Sequence, residues 1–194
     1  MYISREFGPG SFPKSLGPLK SEVLRPSEQE EVVDSWKLLN FEILKQPDQS
    51  SWCWAAVTAS ITRYYEGTSI CQCEVANIAL GEKICCQNTD PKDCNKITSI
   101  PGTCDQPLGL EIALSKLNHF DHCIEKTPQL PGVQVEIDNA RVVAFRQKAA
   151  HFVVLDGYQV GGVSVRVRDP ADGLAIYPIY TLFSCCCTHT YFTK

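Results

Sequence analysis

The first clear periodicity along the chain is the run SSWCWAAVTASITRYYEG, residues 50–67. Val57, Ile61 and Tyr64 or Tyr65 recur three to four positions apart, the spacing of one face of an α-helix. Alanines favour that conformation, Ser50 or Ser51 can cap its start, and Gly67 can close it. CEVANIALGEK, residues 73–83, predicts a shorter helix ended by Gly81. QNTDPKDCNK, 87–96, has no apolar period and reads as loop. A third helix is predicted in PLGLEIALSKLNHF, 107–120, with Pro107 near its first turn. Beyond it the period shortens to two. VQVEI (133–137), RVVAF (141–145), HFVVLDGY (151–158), VSVRVRD (163–169) and THTYFT (188–193) are β-branched, aromatic and partly alternating. They read as strands separated by Pro- and Gly-bearing turns. Helices first and an antiparallel sheet second make an α+β fold rather than a βαβ one.

Length and charge narrow this picture. A chain of 194 residues with 44% hydrophobic and 21% charged positions builds one ordinary core. The net charge of −4 argues against a nucleic-acid or anionic-membrane partner. Apolar runs are strand-sized, so none is expected to span a bilayer. Residues 1–40 hold prolines, glycines and the acidic run SEQEEVVD. They read as an N-terminal arm, linker or pro-segment, without the apolar centre of a signal peptide. Residues 41–194 form the folded domain.

The eleven cysteines change the picture more. Setting Cys53 aside leaves ten, an even number compatible with a disulfide framework around one free thiol. That suggests secretion or delivery by a non-classical route to an oxidising place, with the cytoplasm as the alternative. Reduced structural thiols and a metal site compete with this reading. No pair of Cys-x-x-Cys knuckles is present, and the spacing is poor for zinc. The three consecutive cysteines 185–187 cannot share one role, since alternate strand residues face opposite ways.

Cys53 stands apart by position. The first turn of a helix offers unpaired N–H groups and a dipole that favour a thiolate, the nucleophilic form. Such a cysteine needs a base and a group to orient it. His151 opens one strand and Asp169 ends the next. If Gln159–Gly161 form a three-residue turn, Tyr158 pairs with Gly162 and His151 falls opposite Asp169. His119 and His122 read as surface or loop residues, and His189 as packing or solvent-facing. The Cys53 N–H and a side-chain amide from Gln46 or Gln49 are candidates for an oxyanion hole. Trp52 and Trp54 flank the nucleophile and are candidates for the substrate groove.

Together, QPDQSSWCWAAVTASI, AHFVVLDGY and VRVRDP resemble the papain-like cysteine peptidases, and among them the bacterial AvrRpt2-type effector proteases and peptidase-C39-like proteins. CEVANIALGEKICCQNTDPKDCN is similar to a cysteine-bearing insert of some such relatives, and THTYFT to their closing strand. The resemblance implies a papain-like fold over residues 41–194, with the nucleophile's helix packed on the C-terminal sheet. It implies Cys53 as nucleophile, His151 as base, Asp169 as orienting residue, and a peptide or protein substrate. No metal or organic cofactor is expected. Papain-like enzymes commonly place the oxyanion glutamine six residues before the cysteine, where this chain has Pro47; Gln46 is the preferred substitute. The same triad would serve an amidase, a deamidase or a transglutaminase-like acyl transferase. A disulfide-rich inactive binding module is the alternative of another class.

Overall fold

The computed structural model describes residues 35–48, 50–87, 89–90, 93–147, 150–184 and 189–194. These lie within one compact unit, Asp34–Lys194. Most of the arm expected over residues 1–40 is outside the described residues. Its last part is not: β1, Trp36–Leu38, pairs with a central strand of the main sheet, so folded structure begins before the expected boundary.

Helix α1 spans Cys53–Glu66. Its residues from Cys53 to Thr62 are all buried, so it is the centre of the fold rather than a surface helix with one apolar face. Ala55, Ala56 and Ala59 are fully buried and let neighbouring elements approach closely. Gly67 ends the helix with φ of 66°, a left-handed conformation that costs glycine no Cβ clash. The serine cap is not formed; Trp52 holds the capping position. Ser50 Oγ instead donates to the Pro47 carbonyl at 2.7 Å, and the Ser51 N–H donates to Asp105 Oδ1 at 2.8 Å. Both serines are used in the turn that leads into the helix.

Helix α2, Gln72–Leu80, matches its expected span closely, and Glu74 accepts the Cys71 N–H at 2.9 Å to close its start. The segment expected as loop carries a small hairpin, β2 (Thr89–Asp90) and β3 (Asp93–Ile97). These strands are too short and polar to show a hydrophobic period. Helix α3 is confined to Leu110–Lys116. Gly109 is extended at its N-cap, which leaves Pro107 ahead of the helix, and Asn118 turns left-handed just after it.

The remaining elements are β4 (Phe120–Ile124), α4 (Leu130–Asp138), β5 (Val143–Arg146), β6 (Phe152–Gln159), β7 (Ser164–Asp169), β8 (Gly173–Pro178), α5 (Ile179–Ser184) and β9 (His189–Thr193). The strands form an antiparallel sheet in the order β4-β9-β5-β6-β7-β8. Strand β1 joins the β6 edge where β5 stops. Gly157 sits at that crossing, where a Cβ would lie 2.8 Å from the Lys37 carbonyl oxygen.

The sheet is covered on both faces. Val142, Ala144, Phe152, Val154 and Tyr191 pack with α1, α2 and α3. Val143, Phe145, Val153, Leu155, Val165 and Val167 pack with α4 and α5. The strict alternation of these sets is the period of a strand, and burial on both sides explains the unbroken apolar run of β6. It also explains the one exchange of element type. VQVEI belongs to helix α4, not to a strand. Pro131 suits its first turn, and Val133 and Ile137 bury one helical face while Val135 stays 55% exposed.

The β6–β7 register differs from the expected one. Tyr158 pairs with Val165 and Val154 with Arg168, so Asp169 falls by count beside Val153. A bulge between Leu155 and Gly157 accounts for the change of count along the pair, and Asp156 is the extra residue. Asp156 is fully buried and accepts Arg166 Nε and Nη2, each at 2.7 Å, and Arg168 Nε at 2.8 Å. Its backbone carbonyl accepts the Leu39 N–H at 2.8 Å. The carboxylate thus holds two arginines on one strand, while the main-chain carbonyl of the same residue tethers the chain entering from β1. Asp156→Ala leaves both guanidinium groups without their anion and should cost about 3–5 kcal/mol. A denaturant midpoint at unchanged slope measures this; a loss under about 1 kcal/mol contradicts it.

Candidate active site

Cys53 is the first residue of α1 and one of two free cysteines among the described residues. The first bond along the helix is Ala56 N–H to the Trp52 carbonyl at 2.9 Å. The N–H groups of Cys53, Trp54 and Ala55 precede it and have no acceptor within the helix. The start of the helix is fastened to three consecutive residues of a distant segment. Trp52 Nε1 donates to the Cys104 carbonyl at 2.7 Å, the Ser51 N–H to Asp105 Oδ1, and Trp54 Nε1 to the Gln106 carbonyl at 3.0 Å. A disulfide joins Cys104 to Cys85, and a second joins Cys86 to Cys73 on α2. Nothing local in the sequence marks residues 104–106 for this role; their partners lie 52 to 54 positions away.

His151 immediately precedes β6, and Asp169 ends β7. His151 Nε2 lies 2.7 Å from Asp169 Oδ1. The offset of two from the expected register is even, so both residues stay on one side of the strand alternation. Asp169 also accepts the Ala171 N–H at 2.7 Å. Ala150 takes a left-handed φ of 59°, a strained conformation for alanine at the residue before the histidine. Cys53 Sγ faces its carbonyl at 3.8 Å. The imidazole pKa is pushed up to about 9, first by the hydrogen bond with Asp169 and next by one with Cys53, against burial. Burial works to raise the Asp169 pKa, but the bonds from His151, Ala171 and Asp172 outweigh it and hold the carboxyl below its ordinary value.

Gln46 is held at this end by its own N–H, which donates to the Pro170 carbonyl at 2.9 Å. Its Nε2 donates to the Ser50 carbonyl at 3.2 Å and carries a second hydrogen. Fully buried Gln72 fixes the preceding residue by donating to the Lys45 carbonyl at 2.8 Å. Gln49 lies outside the described residues. Of the two tryptophans, Trp54 lines the cavity beside Cys53, whereas Trp52 does not. Trp52 is fully buried on the Cys104 carbonyl and is a core residue rather than a groove wall. The cavity measures about 480 Å³, and Phe152, His189 and Tyr191 from the sheet line it with Leu108.

Other expected placements change. His119 is buried, stacked on Tyr65 with its Nε2 3.2 Å from Glu66, because α3 ends against the sheet rather than in a surface loop. His122 is exposed as expected, on the outer strand β4 against Phe192. His189 pairs with β5 and reaches the cavity. Cys123 is free and exposed, so the ten cysteines other than Cys53 do not all pair. The three consecutive cysteines 185–187 lie outside the described residues. Among the described residues no helix is long and apolar enough to cross a membrane, and no cluster of His, Cys, Asp and Glu could hold a metal ion.

No family model and no curated protein matches the chain. Solved structures do. The peptidase domain of Streptococcus ComA, a bi-functional ABC transporter involved in quorum sensing, is similar at 15% identity and a TM-score of 0.50, covering 79% of this chain and 98% of that one. A double glycine motif protease from an AMS/PCAT transporter, solved with the leader peptide, is similar at 14% identity and a TM-score of 0.48, with 80% and 94% covered. A structure from work on the mite allergens Blo t 1 and Der p 1 is similar at 13% identity and a TM-score of 0.48, with 80% and 68% covered. At such identities the likeness concerns the fold. The architecture, a helix-borne cysteine packed on an antiparallel sheet, is the papain-like peptidase fold.

Because the His151 pKa is raised on folding, its contribution to stability is complete below the ordinary imidazole value of 6.5 and is lost as pH rises through about 9. Imidazole NMR should show His151 titrating near 9, and Asp169→Asn should move it down toward the ordinary value. A titration near 6.5 in the unaltered protein contradicts the assignment.

Proposed function

We propose that the chain is a papain-like cysteine peptidase of the peptidase-C39-like branch, acting on a peptide or protein substrate. One observation carries the reading: His151 Nε2 lies 2.7 Å from the Asp169 carboxylate, and the free Cys53 at a helix start is near enough to the same imidazole to help raise its pKa. Asp169 fixes the ring orientation and stabilises the imidazolium, and the imidazolium in turn favours the Cys53 thiolate. The thiolate attacks the scissile carbonyl carbon, a C–S bond forms, and the carbonyl electron pair moves to oxygen. The Cys53 N–H and the second Nε2 hydrogen of Gln46 are the proposed donors to that oxyanion. Collapse expels the amine, which takes its proton from His151. His151, now neutral, then takes a proton from water, whose hydroxide displaces sulfur and releases the acid.

Likeness to the ComA peptidase domain supports the peptidase-C39-like branch, and nothing in the comparisons favours the AvrRpt2-type effectors. Cleavage also separates this reading from an amide-hydrolysing or acyl-transferring one on the same triad. A peptide library should yield new N-termini, whereas ammonia without chain cleavage contradicts the peptidase. Cys53→Ala should abolish turnover with melting unchanged, and His151→Ala should abolish it with some loss of stability below about pH 9, where the pair with Asp169 is made. Near-full activity in Cys53→Ala overturns the assignment. Gln46→Ala should lower kcat about 10²–10³-fold, and an unchanged kcat removes Gln46 from the oxyanion hole.

A further inference from the structure

The cavity beside Cys53 is lined by three charged side chains and a histidine: Glu111, Glu125, Arg146 and His189. The carboxylates have partners. Glu111 lies near Tyr191, whose pKa is pushed up to about 12, by burial first and then by that carboxylate, with the Arg146 charge working against both. Glu125 lies 3.9 Å from His189 Nε2 and its side chain is 89% exposed, so water also solvates it. Arg146 is half-buried, and no carboxylate among the described residues forms an ion pair with it. A guanidinium stays charged at any working pH, so a partly desolvated one without an anion is costly.

Its position makes that cost informative. Arg146 ends β5, directly opposite Phe152 on one side and His189 on the other. Arg146, Phe152 and His189 line the same cavity as Cys53, and Phe152 follows His151 in the chain. His189 adds a second unmet group, since its Nδ1 is buried without a hydrogen-bond partner. Glu111 and Glu125 repel an anion from the rest of the cavity.

We infer that Arg146 anchors a carboxylate of the bound peptide. The inference deepens the peptidase reading and rests on it for the kind of ligand. The carboxylate comes from an acidic side chain near the scissile bond or from a free C-terminus; a planar two-oxygen acceptor suits the guanidinium fork in both.

Titration calorimetry on the full chain carrying Cys53→Ala tests binding apart from turnover. The probes are short peptides with one Glu scanned along an amidated sequence, their Gln counterparts, and the Gln series with a free C-terminus. One Glu position, or the free terminus, should bind about tenfold to hundredfold tighter than the amidated Gln peptide. Adding Arg146→Gln should erase that difference, and Arg146→Lys should restore part of it. The series that gains affinity identifies the source. Equal affinity across the three series, no binding by any, or a preference that survives Arg146→Gln overturns the anchor. Turnover by the unaltered protein is read separately. Selective binding of carboxylate peptides, none of which is cleaved, contradicts the peptidase and leaves the anchor standing.

Discussion

The fastening of the first turn of α1 to residues Cys104–Gln106 is the constraint on which the site depends. A nucleophile at a helix start gains from unpaired N–H groups and the helix dipole, but that end of a helix is also where fraying begins. Here two indole N–H groups and the Ser51 N–H are spent on three successive residues of one segment. A neutral hydrogen bond contributes about 1 kcal/mol, and each indole also fills the core. The disulfide Cys85–Cys104 holds the anchoring segment itself. The two tryptophans around Cys53 are best understood as bolts, of which Trp54 also forms part of the cavity wall.

Against this fixed helix start, the sheet delivers the other two residues. His151 and Asp169 sit at one end of the β6–β7 pair, where neither side chain need leave its strand to meet the other. The bulge at Asp156 lies between that end and the turn, and its ion cluster pins the strands where their count changes. Gln46 bridges the halves: its N–H is on Pro170 beyond β7, and its amide is on Ser50 before α1.

Much of this was legible in the chain. The central helix, Gly67 and Gly81 as its and α2's stops, and four of the strands follow from local period and residue type, as does the choice of Cys53, His151 and Asp169 as candidates, of which the structure brings His151 and Asp169 together. The misreadings have a common cause. VQVEI has the period of a strand, and only the apolar face of the sheet it covers makes Val133 and Ile137 a helical pair. Strands β4 and β8 are largely exposed, so burial writes no alternation into them. Ser50 and Ser51 suit a cap, but the Ser50 hydroxyl turns back to the Pro47 carbonyl and the helix begins one residue later, with Trp52 at the cap. The hairpin count missed a bulge, since Asp156 is explained only by arginines on the next strand. The environment of Arg146 was not legible, because its neighbours come from three separate strands and a loop.

Cys53 is the proposed nucleophile, with His151 and Asp169 proposed to activate it. The most direct measurement is covalent trapping with a peptide-based electrophile, followed by peptide mapping of the labelled thiols. One adduct is expected, on Cys53, formed rapidly in the unaltered protein and at least about a hundredfold slower in His151→Ala. An adduct found first on exposed Cys123, or a Cys53 rate that ignores the loss of His151, would contradict it.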